Sequence, residues 1–200
     1  KKLKKEAYVY ISLDKINKSL EKGIQALKDA KEIYNLIDFQ KSKELIDKDT
    51  LLIAMDFCNK KLIENEDLLE LDTIIIDHHV IDENLKINSI YELIDNNASS
   101  ASEIITFFMN QLHIQPSSLV STLLLVGIEV DTNGYMMKTT SKTFLASSIL
   151  LDLKADCKIK TEILKETREN YIKKANIIKR SYMVNDQMII CIMKYMTKKI

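Results

Sequence analysis

Ile74-Ile75-Ile76-Asp77-His78-His79 constrains this chain more than any other stretch. Three β-branched residues run straight into an acid and two adjacent histidines. A short, wholly apolar run bounded by polar residues reads as a buried strand, most often in a parallel sheet. Ligands of open α/β sheets gather just beyond the carboxyl ends of the strands. The strand therefore delivers Asp77, His78 and His79 to the place where a site is expected. The chain holds 3 histidines, and two of them stand here. Leu51-Leu52-Ile53-Ala54-Met55 repeats the design: a buried strand, then an acid, Asp56.

The other elements are read from periodicity and caps. Ala7 to Ile11 is β-branched and aromatic and reads as a strand. Ser19 to Ala30 carries Leu20, Ile24 and Leu27 at helical spacing, with Gly23 weakening the pattern. Ser42 is placed to cap a short helix running to Ile46. Glu66 to Leu71 reads as a short helix or turn, and Ser89 to Ile94 as an edge strand. Ser100 followed by Glu103 and an apolar run is a capping-box signature for a helix to about Leu112. His113, near that helix end, reads as solvated or capping. Pro116 favours the first turn of the next helix, with Leu119, Leu123, Val126 and Val130 along one face. That helix ends at the turn signal Asp131-Thr132-Asn133-Gly134. Ser141–Leu153 and Lys158–Arg180 read as two further helices, and Gln187–Met193 as a strand. Strands alternating with helices predict an α/β fold with a parallel sheet flanked by helices.

Composition closes off some function classes. Net charge is 0, which gives no overall electrostatic case for nucleic acid or an anionic membrane. No apolar run approaches the roughly 18 residues of a membrane span. Cys58, Cys157 and Cys191 are widely spaced and odd in number, which fits a reducing cytoplasm better than a disulfide framework.

Asp56, Asp77-His78-His79 and Asp131 each come after an apolar segment and fall at an element end. Carboxylate and imidazole ligands suit a Mn, Fe or Mg ion better than a thiolate-bound zinc. Two such ions about 3.5–4 Å apart can clamp a phosphoryl group and activate a water. The bland alternative is that Asp56 and Asp131 merely cap a strand end and a turn.

These residues meet a known family. Ile76-Asp77-His78-His79 resembles the signature of the DHH phosphoesterases. Ala98-Ser99-Ser100-Ala101-Ser102-Glu103 is similar to that family's Ala-Ser-Ser-Thr-Ser-Glu. Gly127-Ile128-Glu129-Val130-Asp131-Thr132 resembles its Gly-Ile-x-x-Asp-Thr. Lys138-Thr139-Thr140-Ser141-Lys142-Thr143-Phe144 resembles an Arg-Thr-Gly-Ser-Arg-Thr-Phe element. With the Leu51–Asp56 strand, the likeness is greatest to the membrane-anchored cyclic-di-AMP phosphodiesterases of the GdpP type.

The resemblance implies a set of roles. Asp56 would bridge two Mn2+ ions, His78 would bind one of them, and Asp131 would complete that side. His79 would face the scissile phosphate, with Asp77 orienting the pair from behind. Lys138, Ser141, Lys142 and Thr143 would lie near the substrate. The implied reaction is hydrolysis of cyclic di-AMP to linear pApA by two-metal activation of water. The likeness further implies a cyclic dinucleotide as substrate, no double-stranded DNA, a homodimer, and a membrane-anchored parent working at the cytoplasmic face of the cell membrane. The piece itself is expected to be soluble.

The departures carry expectations of their own. The family's first strand and its His-x-x-x-Asp-x-Asp loop have no counterpart, and Lys1–Ile11 resembles the family's segment beyond the helix of that loop. Residues 1–155 are thus expected to form a DHH domain incomplete at its N-terminal side, with weak or no activity alone. Residues 156–182 are expected to form a helical linker, and 183–200 the start of a second, DHH-associated domain. Cys58 stands where the family often has a histidine, and reads first as a buried bystander thiol. Lys138 and Lys142 read equally as exposed charges, and Glu103 as a helix cap. Two other functions stay open: an oligoribonucleotide or adenosine-bisphosphate phosphoesterase of the same family, and a non-catalytic remnant that binds a nucleotide or a partner.

Overall fold

The computed structural model describes residues 5–11, 16–32, 35–56, 68, 70–80, 87–186 and 188–191. Cys58 and half of the 66–71 segment (66, 67 and 69) lie outside them. The chain divides into two compact units, Lys1–Ile163 and Leu164–Ile200.

The first unit opens with β1 (Tyr8–Tyr10), α1 (Lys18–Asp29), β2 (Asn35–Ile37) and α2 (Phe39–Leu45). β1 and β2 pair in parallel. β2 has no counterpart among the expected elements; three residues are too few to show a period. Asp38, not Ser42, caps α2, accepting from the Lys41 N–H at 2.9 Å. Ser42 is instead buried in the helix, its hydroxyl donating to the Phe39 carbonyl.

β3 (Leu51–Met55), β4 (Asp72–Asp77) and β5 (Ser89–Ile94) form a parallel sheet in the order β3-β4-β5. β4 is central and buried, as its continuous apolar run predicts. β5 is an edge among the described residues. β3 departs from expectation. Ala54 is buried, but Leu51, Ile53 and Met55 are exposed among the described residues. Side chains alternate along a strand, so these three share one face. The registers Met55↔Ile76 and Ile76↔Leu93 bring the carboxyl ends of the three strands level.

Helices α3 (Ala101–Gln111), α4 (Ser118–Asp131) and α5 (Ser141–Asp152) pack on one another. Ile76 on β4 meets Ala98 and Ile104 in one buried cluster, backed by Ile74, Leu93 and Ile105. Leu125 and Ile128 on α4 meet Ala146 and Leu150 on α5 in a second. Burying one such branched side chain stabilises the fold by about 1.5–3 kcal/mol. α3 and α4 approach closely at Gly127, where an added Cβ would stand 2.2 Å from Ser102 Oγ. Ser117 caps α4 and Pro116 precedes the cap, two residues before the first helical position expected for it. His113 is exposed just past the end of α3, in the left-handed region at φ 52°.

The helix expected over 158–180 is two helices, α6 (Cys157–Leu164) and α7 (Arg168–Arg180). Thr167 starts α7 by accepting from the Asn170 N–H. α6 is tied to the first unit: Lys22 Nζ donates to the Glu162 carbonyl at 2.8 Å, and Lys160 pairs with Glu129. In the second unit α7 has no buried residue among those described, so Tyr171, Ile172, Ile177 and Ile178 stay exposed. Of the strand expected over 187–193, residues 188–191 are described, and they form half of an antiparallel hairpin, β6 (Ser181–Asn185) with β7 (Met188–Cys191). No helix of the described residues is long and apolar enough to cross a membrane.

Candidate metal centre

Three elements end at one place. β3 delivers Asp56, whose N–H donates to the Ile76 carbonyl at 2.9 Å. β4 delivers Asp77, His78 and His79, and the last turn of α4 delivers Asp131. Asp56 takes φ 55°, a left-handed conformation uncommon for a non-glycine residue. Such strain persists only where the surroundings impose it, and it clusters at functional sites.

Asp77 is fully buried at 0% exposure. Its Oδ1 accepts the main-chain N–H of His78 at 2.6 Å and of His79 at 2.9 Å. His79 Nδ1 lies 2.9 Å from the same oxygen. With two N–H groups already received there, the ring nitrogen is the donor, and His79 Nε2 is left free of this contact. Asp77 Oδ2 is buried with no hydrogen-bond partner among the described residues. A buried polar atom of that kind needs an explanation, and an ion is one.

His78 is 5% exposed. Its Nδ1 stands 3.4 Å from the Ala98 carbonyl, which can only accept. This long contact assigns the proton to Nδ1 and turns the Nε2 lone pair to the other side. There Asp56 Oδ1 stands 3.4 Å away and Asp131 Oδ2 3.7 Å away. Asp56 Oδ1 is also 3.4 Å from His79 Nδ1. The two imidazole rings lie 4.0 Å apart, centre to centre.

Electrostatics favour a cation here. Burial pushes the Asp131 carboxyl above the usual aspartate range, and the like charge of Asp56 adds to that push. His78, His79 and Lys138 pull it back down. Carboxylates that crowd together in partial burial are costly unless something positive sits between them. Donors sharing one ion at about 2.0–2.2 Å stand roughly 3–4 Å apart. The separations of 3.4 and 3.7 Å about His78 Nε2 meet that test. Donor atoms of Asp56, Asp77, His78 and His79 all lie within 4.8 Å of one another. An oxygen and imidazole set with no thiolate fits Mn, Fe or Mg.

The structure thus brings together Asp56, Asp77, His78, His79 and Asp131. The four substrate candidates are spread more widely. Lys138, at φ 48°, lines a cavity of about 590 Å3 beside the cluster. Lys142 is exposed on α5 and lines a separate groove with Glu103, Phe108 and Leu145. Ser141 is exposed at the start of α5. Thr143 is fully buried, and its hydroxyl accepts from the Thr140 N–H in the α5 capping box. That burial leaves it no side-chain surface for a substrate.

Glu103 is a structural residue, as its position suggested. Its N–H donates to Ser100 Oγ. Its carboxylate reaches past the cap to Ser99, accepting from the hydroxyl at 2.5 Å and from the N–H at 3.1 Å. Two contributors escaped the sequence reading. One is the Ala98 carbonyl, a main-chain group that no side-chain motif announces. The other is Tyr135, which stacks behind Phe144 in the cavity wall with ring centres 5.5 Å apart.

Comparisons with known proteins show which family and fold the chain resembles. The profile described as "DHH family, N-terminal domain" matches residues 6–128. The cyclic-di-AMP phosphodiesterase GdpP of Bacillus subtilis (strain 168) is 30% identical over 194 residues, 93% of this chain and 29% of that protein. The chain therefore spans less than a third of that relative's length. A Streptococcus mutans protein described as "Probable bifunctional oligoribonuclease and PAP phosphatase NrnA" is 39% identical over 113 residues, 54% of this chain and 36% of that one. Among solved structures, an exopolyphosphatase-related protein from Bacteroides fragilis superposes with a TM-score of 0.63 at 16% identity, covering 74% of this chain and 47% of that one. At that identity the likeness speaks for the fold alone.

Proposed function

We propose, since this chain belongs to the DHH family, that Asp56, His78 and Asp131 hold a divalent ion, and that the parent protein hydrolyses cyclic di-AMP to linear pApA. One observation carries the reading: oxygens of Asp56 and Asp131 converge from separate elements on the same buried nitrogen, His78 Nε2, at 3.4 and 3.7 Å. The 30% identity to a cyclic-di-AMP phosphodiesterase across nearly the whole chain supports the choice of substrate.

In this reading Asp56, His78 and Asp131 would hold a pair of Mn2+ ions, with Asp56 shared between them. When bound, such a pair polarises a phosphoryl group and makes water a nucleophile at neutral pH. The remaining work belongs to this chain. Ala98 fixes the His78 tautomer, so that Nε2 is an acceptor toward the cation. Asp77 holds His79 by its Nδ1, presenting Nε2 to a phosphate oxygen. A proton on that Nε2 would stabilise the charge growing on the phosphate, with the Asp77 carboxylate balancing the imidazolium. Lys138 adds positive charge on the cavity side, and Ser141 and Lys142 are held back as outer contacts.

In this reading residues 1–155 belong to the phosphoesterase domain, 156–182 link it onward, and 183–200 begin a DHH-associated domain. The parent works as a homodimer at the cytoplasmic face of the cell membrane. Incubation with Mn2+ and cyclic di-AMP, with chromatography of the products, tests the assignment. Linear pApA is expected from the parent protein, and its loss in Asp56→Ala and His78→Ala. The 200-residue chain alone is expected to turn over weakly or not at all. A parent inert toward cyclic di-AMP overturns the reading.

The second reading is a phosphoesterase of short oligoribonucleotides or adenosine bisphosphate. The match at 39% identity favours it. Faster hydrolysis of these substrates than of cyclic di-AMP would select it. Uptake of a nucleotide with no hydrolysis of either kind would select a non-catalytic binding role.

A further inference from the structure

The cavity beside the candidate metal centre has an aromatic wall. Its volume of about 590 Å3 lies within the roughly 300–1,000 Å3 of small-molecule sites. Phe144 projects from the first turn of α5 and is 58% exposed. One face of that ring is backed by Tyr135, nearly parallel to it at 14°. Tyr135 is itself pinned, with its hydroxyl 3.1 Å from Ser147 Oγ.

The main chain behind this pair is strained. Asn133, Gly134 and Tyr135 all take left-handed conformations, at φ 49°, 69° and 64°. Thr132, fully buried, pegs the loop: its hydroxyl donates to the Ile128 carbonyl at 2.7 Å and accepts the Tyr135 N–H at 3.0 Å. Its carbonyl accepts from Met136 and Met137 as well. Positive φ at Asn133 and Tyr135, neither a glycine, is maintained only against a cost. Here the result is a rigid ring facing a cavity.

We infer that Phe144, backed by Tyr135, is a stacking platform for one purine base of a nucleotide whose phosphate lies at the metal centre. The inference rests on the phosphodiesterase reading above for the phosphate, and on the cavity for the base. The two places touch. Ala98 lines the cavity and holds His78 through its carbonyl. Lys138 lines the cavity and acts on Asp131. Asn96 and Asn97 are exposed at the cavity wall and bring amides, which pair with the edge of adenine. An aromatic platform binds any base face, and the amides add preference.

The test compares AMP with ribose 5-phosphate, which lacks only the base, by calorimetric titration of the full chain. Mn2+ uptake is measured separately on the same samples. AMP is expected to bind more tightly than ribose 5-phosphate. Phe144→Leu is expected to weaken AMP about five- to 150-fold, the range spanned by stacking one base. Ribose 5-phosphate and Mn2+ uptake should not change, and Phe144→Trp should keep the AMP preference. The exposed ring makes misfolding a small risk, and unchanged circular dichroism checks it. Equal binding of the two ligands, or AMP binding indifferent to Phe144→Leu, overturns the platform. Failure of Mn2+ uptake with a Phe144-dependent preference for AMP would remove the metal reading and leave the platform standing.

Discussion

Asp77 holds His79 twice through one oxygen: Oδ1 accepts the main-chain N–H and the ring Nδ1 of the same residue, both at 2.9 Å. A histidine fixed at both ends cannot rotate its ring without breaking its contact with Asp77. The direction of His79 Nε2 is therefore set by a residue that solvent does not reach.

Asp77→Asn tests that control. The amide oxygen can still accept the two main-chain N–H groups, so the strand end should survive. The charge that supports an imidazolium goes. Loss of such a supporting partner typically costs about 10–100-fold in activity or metal affinity. Steady-state rates of the parent protein should fall by that order, while thermal unfolding changes little.

His78→Ala should abolish uptake of the metal ion rather than slow a chemical step. Both carboxylates that face His78 would lose their shared nitrogen, at 3.4 and 3.7 Å. Isothermal titration with Mn2+ should show at least about a hundredfold loss of affinity. His79→Ala, by contrast, should keep most of the affinity and lose turnover.

The metal-free protein should become less stable as pH rises through the raised titration range of Asp131. Burial and Asp56 lift this carboxyl in the folded chain. The folded state then holds the proton to higher pH than the unfolded state, so stability is greatest below the ordinary aspartate range and falls above it. In chelator, the melting temperature of Asp131→Asn relative to the parent sequence should rise with pH across that window. A difference that shrinks with pH would refute the assignment.

Gly127→Ala should destabilise by about 1–3 kcal/mol, the usual cost of overpacking. The new methyl would meet Ser102 Oγ at 2.2 Å and Ser102 Cβ at 3.1 Å. Urea unfolding should show the loss, and Ser102→Gly in the same chain should restore part of it.

Much of this arrangement is legible without coordinates, for local reasons. Ile74–Ile76 and Leu51–Met55 mark strands because β-branched or aliphatic runs suit a pleated ladder, and the acids that close them mark where the ladder stops. Ser100 announces α3 because its hydroxyl is needed by an N–H three residues on. The failures are also local. Ser42 looked like a cap because caps favour serine, yet Asp38 stood four residues earlier and took the role. The break between α6 and α7 carries neither glycine nor proline, and its one signal is Thr167. Thr143 shares a motif with Lys142, but the helix turns one inward and the other outward, which order along the chain does not disclose. The contact of His78 with the Ala98 carbonyl depends on where separate segments meet, and the Tyr135–Phe144 stack on how the loop before α5 turns.

On the proposed metal reading, the level ends of β3 and β4 have to be in place before the ion can be held. Met55 must lie across from Ile76 before Asp56 can stand beside His78, and α4 must be docked before Asp131 can join them. A slip of one residue would send every β3 side chain to the opposite face. An ion arriving early finds scattered groups and nothing to grip. Capture of the cation would then be among the last events of maturation, and it would ratchet the sheet into its working alignment.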